Sequence, residues 1–316
     1  MQTNKRIIIT GPTGAIGMAL IKRCIEEKVY VVAVCHKGSV RIAQIPQNRY
    51  VHVVEADLAD LGRLDKKELG FAKTENADIF YHFAWEGTTG TSRNDMTLQI
   101  KNIQYTIEAV KLAVRLGCDT FIGAGSQAEY GRVEGVLTAE TPTFPENGYG
   151  MAKLCAGQMS RQLCETLGMK HIWTRILSVY GPYDGQGSMV MSAIRKLMSG
   201  ERAGFTRGEQ MWDYLYSEDA ATAMFLLGEK GVHGRIYVLG SGQVKPLKDY
   251  ILKIRNAVEK QTGFAGELGF GDIPYGEKQV MYLGADITAL TQDTGFEPTV
   301  SFEMGIEHTI SQCLKQ

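Results

Sequence analysis

The chain has 316 residues, of which 44% are apolar and 22% charged, and its 34 basic and 35 acidic side chains give a formal charge of −1. This balance gives no reason to expect nucleic acid or an anionic membrane as a partner. The length allows one large α/β domain or two smaller ones and excludes a disordered chain and a mini-protein. No window approaches the ~18 uninterrupted apolar residues of a membrane span, and the start is polar, so we expect a cytoplasmic protein.

Six cysteines are scattered along the chain, without a C-x-x-C pattern and without histidines at metal-ligand spacing. We interpret them as reduced structural residues, and therefore expect no metal, rather than a metal or redox centre. The chain also has 36 glycines but only 8 prolines, and glycine exceeds its average share of about 7%. With so few prolines this composition does not indicate a low-complexity linker, so the positions of the glycines become informative.

Short apolar, β-branched runs alternate along the chain with stretches of helical periodicity. The predicted strands are 6–10, 29–34, 50–54, 79–83, 120–124, 171–176 and 236–239. Strands that alternate with helices form parallel βαβ units. Between the fourth and fifth strands, apolar residues recur at steps of three and four and predict a helix, which Gly117 ends. These residues are Ile100, Ile103, Ile107, Val110 and Val114.

The regular spacing of the predicted strands stops near residue 176, where the chain becomes rich in glycine, proline and aromatic residues. We expect residues 1–176 to form a doubly wound parallel α/β sheet, to which a segment at about 214–240 returns. Residues 177–213 and 241–316 are expected to form a smaller, interleaved α/β lobe that binds substrate. A cleft between the lobes, at the carboxyl ends of the parallel strands, is the expected ligand site.

A glycine-rich segment at 10–17 follows the first predicted strand and opens a helix predicted over 18–27. Gly11 suits a tight turn, Gly14 lets the backbone approach a pyrophosphate, and Gly17 allows the helix to pack on the sheet. The helix N-terminus supplies unpaired N–H groups for the phosphates. The segment therefore predicts a dinucleotide site, with a purely structural glycine turn as the alternative.

The residues after the second predicted strand bear on which dinucleotide is bound. NAD sites place an acidic residue about 20 residues beyond the glycines, where it accepts a hydrogen bond from the ribose 2′-hydroxyl. Here the chain has Cys35, His36 and Lys37, with Arg41 close behind. Because basic side chains attract a 2′-phosphate, we expect NADP(H), with NAD(H) as the alternative if these residues are only solvated.

Asp57 and Leu58 follow the third predicted strand. The aspartate can accept a hydrogen bond from the adenine amino group while the leucine packs on the adenine ring. The alternative is that Asp57 caps a helix, a position that aspartate also favours.

Tyr149 and Lys153 lie four residues apart in a stretch of helical periodicity, which places them on one helix face. A lysine charge beside the phenol lowers the pKa of Tyr149 from its reference of about 10, so that it can exchange a proton with a sugar or alcohol hydroxyl. Ser126 lies just beyond the strand 120–124 and is expected to hold the substrate oxygen. A surface Tyr–Lys pair and a turn serine are the alternatives.

Together these residues resemble the extended short-chain dehydrogenase/reductase family of nucleotide-sugar epimerases and dehydratases, with its Rossmann fold, over essentially the whole chain. The shared motifs are TGxxGxxG at 10–17, Asp57-Leu58, residues 81–84, Asn102, Ser126, YxxxK at 149–153, Arg175 to Pro182, Asp213-Tyr214 and Asp219. The resemblance implies that Ser126 and Tyr149 contact the substrate oxygen, and that Lys153 contacts the cofactor ribose and lowers the pKa of Tyr149. The expected cofactor site comprises Gly11, Thr13, Gly14, Ala15, Ile16, Gly17, His36, Lys37, Arg41, Asp57, Leu58, Phe83, Ala84, Trp85, Asn102, Ala124 and Lys153. A homodimer through helices near 97–116 and 149–167 is a further expectation.

The chain departs from the family pattern at positions that select the reaction and the substrate. Family 4,6-dehydratases carry Thr-Asp-Glu where this chain has Ser-Gln-Ala at 126–128, so water elimination lacks its carboxylates, and Glu129 lies one residue too far along. Trp212 and Ser178 stand where the family has the Arg and Asn that hold the sugar nucleotide. The expected substrate-binding residues are Glu86, Gln127, Ser178, Arg207 and Trp212, with Lys278 and Arg195 as alternative cations.

The segments 82–87 and 125–131 are most similar to reductases of CDP- or dTDP-linked 4-keto-6-deoxy sugars, the CDP-abequose synthase type among them. We therefore expect an NADP-dependent reductase that delivers hydride to C4 of a nucleotide-linked sugar, with Tyr149 protonating the alkoxide and Ser126 polarising the ketone. One alternative is a nucleotide-sugar 4-epimerase with tightly bound NAD. A second alternative is a non-catalytic NADP-sensing protein.

Overall fold

The computed structural model describes residues 5–315. Its strands are β1 (Arg6–Thr10), β2 (Tyr30–Cys35), β3 (Val51–Glu55), β4 (Ile79–His82), β5 (Thr120–Ser126), β6 (Val136–Leu137), β7 (Lys170–Ile176), β8 (Ser178–Tyr180), β9 (Ala203–Phe205), β10 (Met211–Tyr216), β11 (Ile236–Leu239), β12 (Val244–Pro246), β13 (Leu268–Phe270) and β14 (Tyr282–Ala285). Its helices are α1 (Ala15–Glu26), α2 (Met96–Arg115), α3 (Gly148–Thr166), α4 (Met189–Met198), α5 (Ser217–Lys230), α6 (Leu247–Thr262), α7 (Thr288–Thr294) and α8 (Phe302–Cys313). Short 3₁₀ turns include Leu58–Asp60, Gly90–Asn94 and Gln127–Glu129.

Seven parallel strands form the larger sheet, in the order β11-β7-β5-β4-β1-β2-β3. They are the seven strands predicted from the sequence, with ends that differ by one or two residues. The order runs outward from β1 in both directions, because the chain returns at β4 to the other side of β1. The predicted doubly wound α/β fold is confirmed, and the switch point between β1 and β4 opens a crevice at the carboxyl ends of the strands.

Alternate residues of each central strand face opposite layers of helices. Ile7 and Ile9 of β1 join α1 and α5 in one core cluster, whereas Ile8 packs with α2 on the other face of the sheet. All three side chains are buried. A strand that is covered on both faces needs apolar residues at every position, and this explains why these strands appear in the sequence as uninterrupted apolar runs.

A second sheet has the order β12-β10-β14-β6, with β8 paired to β10. Helices α4, α6 and α8 pack beside it in a separate core cluster that contains Tyr180 of β8 and Tyr216 of β10. Strands β9 and β13 form a small parallel pair of their own. Helices α4, α6 and α8 therefore belong to a core distinct from those of the larger sheet.

The interleaving of two lobes remains a proposal, and the packing moves some segments between them. Strand β6 falls within the residues predicted for the first lobe, yet it pairs with β14 of the smaller sheet. Strand β10 also lies in the smaller sheet, so the return to the larger sheet consists of α5 and β11. Helix α7, predicted for the second lobe, packs its Leu290 into the core of the larger sheet.

The first helix begins earlier than the sequence predicts, at Ala15, because Gly14 of the glycine loop already serves as its N-cap. Helices α2 and α3 lie within one residue of their predicted bounds and pack against each other on one face of the sheet. Within residues 5–315, no helix has both the length and the apolar character needed to cross a bilayer.

Candidate active site

A cavity of about 350 Å³ lies at the carboxyl ends of the central strands. Its walls come from the glycine loop, the segment after β4, the end of β5, the first turns of α3 and the segment after β7. The lining residues are Gly11, Gly14, Ala15, Ile16, Gly17, Phe83, Trp85, Thr88, Ala124, Gly125, Ser126, Tyr149, Lys153, Ile176, Leu177, Val179 and Asp184. The fold therefore brings Ser126, Tyr149 and Lys153 together beside the glycine loop.

Two glycines of the loop have no room for a side chain. Gly11 has a φ of +69°, and a Cβ there would lie 2.7 Å from the backbone nitrogen of Ala84. A Cβ at Gly17 would lie 2.7 Å from backbone atoms of Gly11 and Pro12. Gly14 instead has space around it and lines the cavity, and no side chain caps α1. The open space and the uncapped first turn of α1 fit the pyrophosphate of a dinucleotide.

Tyr149 and Ser126 meet because the first turn of α3 packs closely on the end of β5. The Oδ1 atom of Asn147 accepts a hydrogen bond from the Gly150 N–H at 2.9 Å and starts the helix. A Cβ at Gly150 would lie 2.2 Å from the Ala128 carbonyl oxygen, so only glycine allows this approach. Burial raises the pKa of Tyr149, while a hydrogen bond with the Ser126 hydroxyl lowers it.

Lys153 is buried, and its ammonium group lies closer to Trp85 than to the phenol. Its Nζ donates to the Ala124 carbonyl at 2.6 Å and lies 3.8 Å from the Trp85 ring centroid, against 5.8 Å from the Tyr149 ring centroid. Burial lowers the pKa of Lys153 to about 7. The expected net lowering of the Tyr149 pKa is therefore corrected. Burial of the phenol raises its pKa above the usual value, and Arg93 rather than Lys153 is the cation that lowers it.

Glu129 is fully buried next to Ser126, in a position that the sequence left without a role. Its Oε1 accepts hydrogen bonds from the Ser126 backbone N–H at 2.8 Å and the Trp173 indole at 3.0 Å, and its Oε2 accepts one from Arg175 Nε at 2.9 Å. Burial raises the pKa of Glu129, whereas the Arg175 charge lowers it. The other two residues of this turn are a glutamine and an alanine. The turn Gln127–Glu129 thus presents no unpaired carboxylate to the cavity.

The basic residues expected to select NADP already have partners. Lys37 Nζ lies 2.5 Å from the Asp60 carboxylate, and its backbone N–H donates to Asp57 at 3.2 Å. Arg41 donates to the backbone carbonyl of Tyr183. Because each side chain is bonded to a protein oxygen, the structure gives no support to the expected NADP preference. Asp57 is the N-cap of the turn Leu58–Asp60, which matches the alternative to its adenine role.

Asn102 of α2 contributes to the site by fixing the loop after β4. Its side-chain amide accepts the Glu86 N–H and donates to the Glu86 carbonyl, both at 2.9 Å. Glu86, expected to bind substrate, is thus held by its backbone to α2. Four further residues predicted for the cofactor lie outside the cavity lining, namely Thr13, His36, Leu58 and Ala84.

Two residues expected to bind substrate bind each other. The Trp212 indole N–H donates to the Ser178 hydroxyl at 2.8 Å, across the paired strands β10 and β8. Arg207 is exposed, lies 3.2 Å from Glu209 and stacks 5.5 Å from the Tyr275 ring centroid. The two departures from the family pattern, at 178 and 212, are therefore a single hydrogen-bonded pair.

Sequence reasoning missed a second groove, of about 340 Å³, formed by α4, β9 and the segments around them. Phe205 and Gly204 of β9 form its floor, with Lys196 of α4 and Gln210 also among the lining residues. Gly187 lines this groove and Asp184 lines the first cavity, so one short segment separates the two. No motif marks the groove, because it forms only where three distant segments pack together.

The comparisons with known proteins agree with this geometry. The model of the NAD dependent epimerase/dehydratase family matches residues 7–240. The dTDP-glucose 4,6-dehydratase of Salmonella typhimurium is 23% identical over 337 residues, with 96% of this chain and 91% of that protein covered.

Two solved structures share the fold over nearly the whole chain. The UDP-glucose 4-epimerase of Thermotoga maritima with UDP-glucose has a TM-score of 0.84 at 23% identity, covering 98% of this chain and 99% of that one. The UDP-glucuronic acid 4-epimerase of Bacillus cereus with NAD has a TM-score of 0.82 at 20% identity and the same coverage. The protein is thus an enzyme, which sets aside a non-catalytic sensor, and it belongs to the NAD-dependent epimerase/dehydratase family, of the extended short-chain dehydrogenase/reductase type.

Proposed function

We propose that this protein is a 4-epimerase of a nucleotide-linked hexose that works with bound NAD. The supporting observation is that Ser126, Tyr149 and Lys153 meet on one wall of the cavity, while the adjoining turn Gln127–Glu129 offers no free carboxylate. Hydride transfer at C4 needs one group that takes and returns the hydroxyl proton, whereas water elimination also needs an acid and a base. The bound NAD supplies the hydride acceptor and donor.

Each of the three side chains has a distinct task in this reaction. Tyr149 takes the proton from the C4 hydroxyl as that carbon is oxidised and returns a proton when the ketone is reduced. Ser126, which lines the cavity together with Tyr149, holds the same sugar oxygen and polarises the ketone. Lys153 is fixed by the Ala124 carbonyl, and its remaining donors would hold the cofactor ribose.

Contacts across the cofactor end of the cavity favour a cofactor that stays bound. Tyr183, in the segment after β8, receives a hydrogen bond from Arg41, and Lys22 of α1 lies 5.4 Å from its ring centroid. The next residue, Asp184, lines the cavity opposite the glycine loop. These contacts hold the segment against the larger sheet, where it would help to retain a bound cofactor, as an epimerase requires.

The second groove is suited to the nucleotide of the substrate. Phe205 lines it with an aromatic side chain and Lys196 offers a positive charge for phosphate, whereas the Gln210 amide is already bonded to the Thr206 hydroxyl. Only one short segment separates this groove from the cavity that Tyr149 lines. A nucleotide in the groove would therefore leave its sugar in the first cavity. The Thermotoga relative was solved with UDP-glucose, which makes a UDP-hexose the first substrate to test.

The test begins with the nucleotide that the purified protein carries. We expect mass spectrometry of the denatured protein to find NAD, and we expect UDP-glucose to be converted to its C4 epimer without added cofactor. Tyr149→Phe is the matched control, since it keeps the bound NAD and removes the proton acceptor. Protein that carries no NAD and leaves a panel of UDP-, dTDP- and CDP-hexoses unchanged would overturn the proposal.

A second candidate is the reductase of a nucleotide-linked 4-keto-6-deoxy sugar. The observation in its favour concerns the residues that follow β2. None of them is a carboxylate, and the side chains of His36 and Lys37 are 72% and 50% exposed. Oxidation of added NADPH by a CDP- or dTDP-linked 4-keto sugar, in stoichiometric amounts, would identify this reaction. If NADPH is oxidised at the same rate with and without such a sugar, the protein is not this reductase.

We also propose that the protein is a homodimer through α2 and α3. Exposed apolar side chains follow one another along each helix, with Met96 and Ile100 on α2 and Met151 and Met159 on α3, all about half exposed. Exposed apolar stripes of this kind mark interfaces. Sedimentation should therefore show a dimer, and Ile100→Glu should yield a monomer with unchanged secondary structure.

A further inference from the structure

The 3₁₀ turn Gly90–Asn94 packs directly on the first turn of α3. The Asn94 Oδ1 atom accepts a hydrogen bond from the Gly148 N–H at 3.0 Å. A Cβ at Gly148 would lie 3.0 Å from the Arg93 carbonyl oxygen, so the two backbones are in close contact. Arg93 is therefore held beside the residue that follows Gly148, which is Tyr149.

The Arg93 side chain extends over the ring of Tyr149. Its Cζ lies 4.3 Å from the ring centroid, and its Nη1 donates to the Thr88 carbonyl at 3.2 Å. Thr88 and Tyr149 both line the cavity. The guanidinium is thus anchored at one end of the cavity, with its positive charge facing the aromatic ring, a favourable cation–π arrangement.

Other polar groups approach Tyr149 from the remaining elements around it. Ser126 at the end of β5 lines the cavity with it, and the charge of Glu129 acts on it from the turn after β5. On its own helix, Lys153 Nζ lies 5.8 Å from the ring centroid and 3.8 Å from the ring of Trp85. Arg93 is therefore the cation nearer to the phenol ring, and unlike a buried lysine a guanidinium keeps its charge at every pH of interest.

We propose that Arg93 is a positioning residue that acts beside Lys153 to bias Tyr149 toward its phenolate. This inference rests on the proposed role of Tyr149 as the group that takes and returns the proton. In this arrangement Lys153 orients the cofactor and Arg93 tunes the base. The directions of the pKa shifts agree: burial raises the pKa of Tyr149 and Glu129 adds to that, whereas the Ser126 hydrogen bond and the Arg93 charge lower it.

The test measures the ionisation of Tyr149 directly, so that it does not depend on knowing the substrate. The protein, with whatever cofactor it retains, is labelled in its tyrosine rings, and the Tyr149 resonance is assigned by its loss in Tyr149→Phe. The pKa of Tyr149 is then read by NMR titration in wild type, Arg93→Met, Arg93→Lys and Lys153→Met. Arg63→Met, which removes a 71% exposed arginine elsewhere, is the control.

We expect Arg93→Met to raise the pKa of Tyr149 by about one unit, a tenfold change in the ionisation constant, and Arg93→Lys to restore most of it. Arg63→Met should leave it unchanged. The proposal is overturned if Arg93→Met leaves the pKa of Tyr149 in place, or if Arg63→Met raises that pKa as much as Arg93→Met does.

A salt titration of the wild type keeps the inference testable if a variant fails to fold. Arg93 is partly exposed, so its effect is screened, and raising the salt concentration should raise the pKa of Tyr149. A pKa that does not move with salt contradicts the proposal. If the titrations give the expected shifts but no assay detects epimerase activity, the result counts against the proposed function and not against the role of Arg93.

Discussion

At the end of the cavity that we propose to be catalytic, the residues named by sequence motifs come together as expected. At the ends that we propose for the ribose and the substrate, the named side chains bind one another or neighbouring loops. Ser126 and Tyr149 both line the cavity. Lys37 is paired with Asp60, and Trp212 donates to the hydroxyl of Ser178.

The difference lies in how much of each side chain's position the backbone determines. Ser126 ends a strand and Tyr149 stands in the first turn of a helix, and both are short or rigid, so the strand end and the helix start fix them. Lys37 has a long flexible side chain, and the partner that it finds depends on a carboxylate 23 residues away. Sequence motifs therefore predict the positions of short or rigid side chains better than they predict the partners of long, flexible ones.

The largest effect is expected at the catalytic end, from Tyr149→Phe. Removing the phenol oxygen takes away the proton acceptor without changing the ring that packs against Trp85, at 6.1 Å between centroids. The turnover number should fall about 10³-fold while the bound cofactor is retained. Steady-state kinetics with equal nucleotide content in both proteins checks this, and a loss below tenfold would contradict the proposed role.

The buried ion pair beneath Ser126 is expected to matter more for stability than the exposed pairs at the ribose end. Arg175→Met leaves Glu129 buried without its cation, and should lower the free energy of unfolding by about 3–5 kcal/mol. Arg63→Met removes an exposed partner of Asp60 and should cost about 0–1 kcal/mol. Urea unfolding of both variants gives the comparison, and equal losses would show that burial does not separate the two regions.

The buried Lys153 should make the stability of the protein depend on pH. Burial lowers its pKa from 10.5 to about 7, so the unfolded chain binds more protons than the folded one between these values. Stability from this residue therefore rises with pH across that window, by at most about 1.4 kcal/mol per pH unit. Lys153→Met should remove the rise, which urea unfolding at several pH values measures. Parallel curves for variant and wild type would mean that Lys153 is not desolvated.

The smallest effect is expected at the ribose end, from Lys37→Met. Because Lys37 is half exposed and already paired with Asp60, its loss should change the ratio of NAD to NADP that the protein retains by no more than about twofold. The ratio is measured after exchange against an equal mixture of both nucleotides. A tenfold fall in retained NADP would restore Lys37 to the selective role expected from the sequence.

The existence of the seven strands and the expected position of the site could both be predicted from local patterns. The apolar runs give the seven strands, and the glycine loop and the Tyr149–Lys153 spacing indicate the carboxyl end of the sheet. The pairing of β6 with β14, the return of α7 to the larger core and the groove at β9 could not be predicted. Each joins segments more than a hundred residues apart or forms only when several elements pack.

The sequence by itself predicted the fold class, the glycine loop and the meeting of Ser126, Tyr149 and Lys153. Each follows from a local pattern: apolar runs that form strands, glycines at a strand end, and side chains placed directly by the end of a strand or the start of a helix. The tertiary structure decided which charge acts on which group. It seats Glu129 against Arg175, draws Lys37 to Asp60 and places Arg93 over Tyr149. Electrostatic effects depend on distance and burial in space, and neither quantity is carried by local spacing along the chain.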